Sequence, residues 1–385
     1  MRIMDYQGIA IVGPRGAGKS ALCLRLCEKH SSLQMVPAVT TRKKRKDDTP
    51  DQYEYMGRRE FKKLGKENRF LIKAEYAGEN YGILKEQFLS VLQNEKTPVL
   101  ILTPESLTRT EDFFSIFIDL PDPILNEGLK HRRQKIDETV ESQRDADRSH
   151  AKSCLYVVQN HDSGKSAELI WSLWKYRNTG GVLPKRLIQL MMECGMLLEH
   201  AEASNVQSAS YDLSLGDEYY SGGKIKELTS KDPFVLIKPY DYAIVTSKEN
   251  ADFPRDVAGR FDLSVSLFCQ GVILSNGPQV DPGFKGKLFC LLFNTSNSPV
   301  ILKRNQHYAT LEFHKLLEPT TPYQGRYQSK LGIINYLPSN TLMGAVSELK
   351  EELEKVRSES RRLQTIVLGI VSALLTIVAL LIALD

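Results

Sequence analysis

The chain has no C-x-x-C pair, no marked excess of charge and no long polar or low-complexity tract. Its six cysteines (Cys23, Cys27, Cys154, Cys194, Cys269, Cys290) are scattered, which argues against the closely spaced ligands of a zinc ribbon and against a dithiol redox pair. Cys23 and Cys27 share one face of a helical stretch and read as small buried residues. The net charge is only +4, too weak a field to call for nucleic acid as a partner. With 25% charged and 42% hydrophobic residues, the balance is that of folded globular protein. The opening "MRIMDYQ" lacks the apolar core of a signal peptide, so reducing cytosol is the expected setting. A length of 385 residues predicts two domains and a tail.

What is present begins at "GPRGAGKS". It follows the apolar run "GIAIV" and precedes the helical "ALCLRLCEKH". Gly13, Gly18, Lys19 and Ser20 fit the spacing G-x-x-x-x-G-K-[ST]. In such a loop, glycines such as Gly13, Gly16 and Gly18 let backbone N–H groups close on phosphates. Lys19 is expected to reach the β- and γ-phosphates and Ser20 to hold Mg²⁺, so ATP or another nucleoside triphosphate with Mg²⁺ is the implied cofactor.

At the other end, residues 365–384 form a run of twenty without a charge. At about 1.5 Å per residue it would cover roughly 30 Å, the apolar thickness of a bilayer. Lys355, Arg357, Arg361 and Arg362 precede it and only Asp385 follows. The expectation is a single-pass, C-terminally anchored membrane protein with its domains on the cytoplasmic side.

Between these ends, residues 1–178 alternate short apolar strands with helical stretches, the pattern of an α/β domain with a parallel sheet. "NTGG" at 178–181 reads as a linker. After a helical segment, short strands broken by Gly, Pro, Asn and Asp from Val206 onward predict an all-β domain. Val346, Leu349, Leu353, Val356 and Leu363 keep a 3-4 spacing within 343–364, which predicts a short coiled-coil stalk, although Ser360 interrupts the seam.

The first domain resembles the guanylate kinases over most of residues 7–162 through "TTR" at 40–42, "YEY" at 53–55, "FLIKAEYAGENYG" at 70–82, "RQKIDETVESQR" at 133–144 and "YVVQNHD". The resemblance implies a nucleoside-monophosphate kinase fold. It implies that Arg42, Arg45, Tyr53 and Tyr81 grip an acceptor monophosphate and that Arg133 and Arg144, on the lid, neutralise the transferring phosphoryl group. Two departures stand out. Ile72 occupies the position of the family's base-reading Glu, and residues 99–103 read "VLILT", with Thr103 in place of an Asp. An aliphatic chain cannot accept the N–H groups of guanine, so guanine specificity is not expected.

Over roughly residues 184–332 the second domain resembles dCTP deaminases and dUTP diphosphatases through "NVQSASYDLSLG" (205–216), "FPRDVAGRFDLSVSLFCQGV", "VDPGFKGKL" and "PYQGRYQSKLG" (322–332). That family is homotrimeric with nucleotide sites between subunits, so the resemblance implies a homotrimer, with the C-terminal arm reaching across a subunit boundary. It places Leu291 where deaminases carry their catalytic Glu, Val265 where they carry a phosphate-binding Ser, and Cys269 where they carry an Arg. Leucine cannot move the protons a deamination needs, so dCTP deaminase activity is not expected. Ser266 is kept, as is Asp281, at the position of the diphosphatases' water-orienting Asp. Arg326, Tyr327 and Gln328 are the arm's candidates for nucleotide contact.

Two readings of the whole chain follow. In one it is a membrane-anchored, trimeric nucleotide-binding sensor made of two altered nucleotide-handling folds, an architecture suited to phage defence. In the other it is an enzyme: a nucleoside-monophosphate kinase of altered base choice, or a dUTP diphosphatase using Asp281.

Overall fold

The computed structural model describes all residues except 1–5, 46–47, 49–51, 110–111, 132–137, 276–278, 338–344 and 383–385; of the helical segments 345–351 and 373–382 it describes the backbone alone. Arg133 therefore lies outside the described residues.

The first domain is built on a five-stranded sheet in the order Leu33–Met35, Thr97–Ile101, Ile9–Val12, Phe114–Asp119, Tyr156–Gln159. All its pairings are parallel. Ile9–Val12 is buried along its whole length, as a central parallel strand must be when helices cover both faces. A second sheet, ordered Tyr53–Tyr55, Ala38–Thr40, Glu79–Leu84, Phe70–Tyr76, stands over the C-terminal edge of the first. Its side chains share a core with the main sheet: Val36, Ala38, Ile72 and Ile83 pack with Val12, Leu100 and Phe117.

The second domain is β-rich. Its long strands Ser210–Ser221, Tyr242–Asp252, Lys285–Asn294 and His307–Lys315 form the middle of a ten-stranded sheet. Lys285–Asn294 alternates buried and more open positions along its whole length, the period-two pattern that fixes register in a half-buried strand. The only helices described between 182 and 337 apart from 3-10 turns are Lys185–Glu193 and the short Val265–Phe268.

The stretch at 178–181 is not a free linker. Gly181–Val182 pairs antiparallel with Lys315 and His314 at the edge of the second domain's sheet. Behind it one continuous core runs from Leu22, Ile116 and Ile170 through Leu187, Ile188 and Met191 into Leu213, Val245 and Phe313. The correction has a simple cause: Gly181 supplies an extended turn at φ 140°, and the next apolar residue but one, Leu183, is buried at 3% exposure, while Val182 stays about half exposed at 48%. A buried polar contact crosses the same boundary. The Tyr156 hydroxyl donates to Asp256, whose carboxylate lies 3.1 Å from the Lys315 ammonium.

The expected stalk and the expected membrane span are one continuous helix, Ala345–Ile382. Among the described residues no helix is long and apolar enough to cross a membrane. The helix carries charges as far as Arg362, and side-chain description stops after residue 372, within the apolar run. The rest of the expected span lies outside it. Leu353, Val356 and Leu363 are more than half exposed.

Candidate functional site

The phosphate loop follows strand Ile9–Val12 and runs directly into helix Lys19–Lys29. Its glycines are required by geometry. Gly13 has φ 145°, and a Cβ there would lie 2.1 Å from the Ile118 carbonyl oxygen; Gly18 has φ 80°, and its Cβ would meet the Asn160 amide at 2.8 Å. That amide donates to the Ala17 carbonyl at 2.9 Å and so braces the loop from strand Tyr156–Gln159. The Lys19 ammonium folds back onto the carbonyls of Gly13 and Pro14, at 2.6 and 2.8 Å. No side chain caps the helix N-terminus, which leaves its N–H groups facing a site suited to an anion.

The loop opens into a cleft with a cavity volume of about 100 Å³. Gly13, Gly16, Gly18, Lys19 and Ser20 line one side and Arg42, Arg45, Tyr53 and Tyr81 the other. All of these residues were singled out in the sequence, and the fold brings them into one cavity. Arg15, Asp48, Gln52, Tyr76 and Thr103 complete the wall. Asp48 was missed, and it organises the acceptor side. Both its oxygens accept from the Arg42 guanidinium at 2.7 Å, and it also accepts from the Arg45 backbone N–H at 2.7 Å and the Tyr55 hydroxyl at 2.6 Å. Burial alone would raise its pKa; those hydrogen bonds bring it down to about 2. Arg42 also lies 4.4 Å over the Tyr53 ring, so its planar fork is fixed before a ligand arrives. The available signal was the second of two adjacent acids, six residues after Arg42 and directly following a basic run.

Ile72 is in the core, 3% exposed, and offers the cleft no acceptor. Thr103 lines the cleft, its hydroxyl 2.9 Å from that of Ser106. On the lid helix Glu138–Ser149, Arg144 is 3% exposed. One of its nitrogens lies 3.7 Å from Asp122, while Nε and Nη2 are buried without a partner among the described residues. The helix beginning at Asp122 packs on the phosphate loop, since the Leu125 carbonyl would lie 3.1 Å from a Cβ at Gly16. Arg144 is not among the residues that line the cleft; a desolvated guanidinium with open donors is suited to an anion that reaches it. Were Mg²⁺ bound with a nucleotide here, the Ser20 hydroxyl, which lines the cleft, would be the chain's ligand to it.

The second domain's candidates make local contacts on separate segments. Ser266 is exposed beside Ser264, their hydroxyl oxygens 3.2 Å apart. Asp281 accepts from the Gln279 amide at 2.8 Å. Arg326 lies 4.6 Å over the ring of its neighbour Tyr327. Gln328 is committed to the chain itself, accepting from the Lys285 N–H and donating to the Gly283 carbonyl, both at 2.9 Å. Within the single chain the arm packs along strand Lys285–Asn294. Tyr327 stacks on Tyr336, Tyr336 packs on Phe289, and the Lys287 N–H donates to the Lys330 carbonyl at 2.8 Å. Leu291 joins an apolar cluster with Tyr220, Ile244 and Ile333. A buried carboxylate that sequence reasoning missed, Glu249, accepts from the Tyr211 hydroxyl and the Ser214 N–H, both at 3.1 Å. Burial pushes its pKa up.

Comparison with known proteins divides the chain at the same place as the fold. Residues 6–173 match the model of the guanylate kinase family and residues 182–316 that of the dCTP deaminase-like family. The dCTP deaminase of Pyrococcus horikoshii is 35% identical over 140 residues, covering 36% of this chain and 88% of that protein. The dUMP-forming dCTP deaminase of Aquifex aeolicus is 29% identical over 184 residues, covering 44% of this chain and 99% of the relative. A guanylate kinase structure from Anaplasma phagocytophilum aligns with a TM-score of 0.37 at 21% identity, over 46% of this chain and 88% of that one.

Proposed function

Because the chain belongs to the dCTP deaminase-like family through its second domain and carries a guanylate kinase domain before it, we propose that it is a trimeric nucleotide-binding sensor and not a deaminase. The first domain holds a nucleoside triphosphate with Mg²⁺ at residues 13–20 and a monophosphate against Arg42, Arg45, Tyr53 and Tyr81. The observation that carries this reading is the cradle itself: glycines in conformations other residues rarely adopt, Lys19, Ser20 and an uncapped helix start, all facing the cleft. Loss of deamination rests on Leu291, which sits in an apolar cluster where a proton carrier is needed.

Trimer formation is supported by apolar side chains that the second domain leaves in water, notably Val265, Phe268 and Ile273 on one side and Phe234, Leu236 and Ile301 on another. Membrane attachment through residues 365–384, the cytoplasmic placement of the domains and a part in phage defence belong to the same proposal, and their support is the sequence alone. Arg144 favours a second reading, in which phosphoryl transfer to an acceptor other than guanylate survives, since its open donors suit a charge that develops during transfer.

Incubation with dCTP and Mg²⁺, followed by chromatography, tests the reading. It expects unchanged dCTP and, in parallel, a nucleotide copurifying with the protein that mass spectrometry can identify. Formation of dUTP or dUMP would overturn it.

A further inference from the structure

The acceptor end of the cleft lacks the base-reading carboxylates, yet a different carboxylate reaches the same wall from the lid. Asp147 lies on helix Glu138–Ser149 and is 1% exposed. Its Oδ2 accepts from the Tyr76 hydroxyl at 2.7 Å and its Oδ1 from the Gln143 amide at 3.0 Å. Gln143 also donates to Glu105 at 3.3 Å, in the turn Pro104–Arg109 that holds Ser106 against Thr103. Of this network, Tyr76 and Thr103 line the cleft. The Arg15 guanidinium, from the phosphate loop, sits 5.2 Å from the centre of the Tyr76 ring.

The chemistry of a phenol decides what this arrangement does. Tyr76 has one proton and donates it in the hydrogen bond to Asp147, so the oxygen's remaining lone pairs can only accept. Burial, reinforced by the Asp147 charge, pushes the phenol's pKa up and keeps that proton in place.

We propose that Asp147 is a positioning residue that sets the base preference of the acceptor site: by fixing Tyr76 as an obligate hydrogen-bond acceptor, it selects a nucleoside monophosphate whose base presents an amino group over the counterpart that presents an oxo group. The inference rests on the reading of the first domain as a monophosphate site. An unpaired oxo oxygen facing an acceptor is penalised, while an amino group is satisfied.

The test uses the full chain, saturated with a non-hydrolysable ATP analogue and Mg²⁺, titrated calorimetrically with CMP against UMP and AMP against IMP. In at least one pair the amino member should bind about tenfold or more tightly than its oxo counterpart, the ratio one hydrogen bond supplies. Asp147→Asn offers Tyr76 an amide donor, which turns the phenol proton toward the cleft; the ratio should fall below about threefold or invert, with affinity for the ATP analogue unchanged. Tyr76→Phe keeps the ring, should lose the ratio as well, and covers the case in which Asp147→Asn does not fold. Equal affinities within both pairs, or a ratio kept in either folded variant, overturns the inference. So does binding of the ATP analogue without any monophosphate. Failure of the ATP analogue itself to bind would sink the reading of the phosphate loop, and this inference with it.

Discussion

Asp256→Ala should cut the stability of the whole chain, because it removes the shared acceptor at the centre of the domain boundary. Asp256 is 2% exposed, Tyr156 2% and Lys315 7%. The carboxylate takes the Tyr156 proton and faces the Lys315 ammonium at 3.1 Å. Without it Lys315 keeps only two carbonyls, those of Leu316 at 3.2 Å and Arg177 at 3.4 Å, and the phenol loses its acceptor. Removing one partner of a buried pair costs about 3–5 kcal/mol. The stranded phenol adds to this on a scale of about 1–3 kcal/mol, and the two terms overlap. At about 2.1 cal/mol/K per residue, unfolding a chain of 385 residues carries an entropy of roughly 0.8 kcal/mol/K, so a loss near 4 kcal/mol lowers the melting temperature by roughly 5 °C. Scanning calorimetry and urea unfolding measure it. The double variant Asp256→Leu with Lys315→Met, which replaces the pair by apolar volume, should recover most of the loss. A single variant that loses less than about 1 kcal/mol, or a double variant no better than the single, would refute the argument.

Two further outcomes are expected. Glu249 has a raised folded-state pKa because it is buried, so the folded state binds its proton more tightly than the unfolded one. Its contribution is complete below the ordinary carboxylate pKa of about 4.3 and declines as pH rises through the raised value. Urea midpoints between pH 4 and 8 should therefore fall more steeply for wild type than for Glu249→Gln; parallel curves would contradict this. A chain ended near residue 340 should remain trimeric by light scattering at micromolar concentration. Exposed Val265, Phe268 and Ile273 belong to the second domain, and the stalk seam is short and interrupted by Ser360. A monomer would remove the trimeric scaffold from the proposal.

What the sequence made legible was local. The phosphate loop declares itself within eight residues, and its strand–loop–helix context follows from the neighbouring apolar runs. The long β-strands show their alternation directly, and the two family resemblances fall on the two stretches, 6–173 and 182–316, that comparison matches to the same families. What stayed hidden depends on distant partners. Tyr76 meets Asp147 across 71 residues and Tyr156 meets Asp256 across 100, and no periodicity marks any of the four. Gly181 and Val182 look like a connector because the strand that receives them, His307–Lys315, lies far along the chain. Gln328 looks like a ligand residue in its motif, and only the fold shows both ends of its amide already satisfied.

The central claim is that the loop at 13–20 binds a nucleotide, and Lys19→Ala tests it most directly. Lys19 lies in the cleft with its ammonium on loop carbonyls, so its loss should spare the folded core. Calorimetric titration with ATP and GTP in the presence of Mg²⁺ should show binding to wild type and a loss of roughly 100-fold in the variant, as expected when a charged hydrogen-bond donor to phosphate is removed. Light scattering should show the same oligomer for both. Equal affinity in wild type and variant, or no binding of either nucleotide to wild type, would contradict the account.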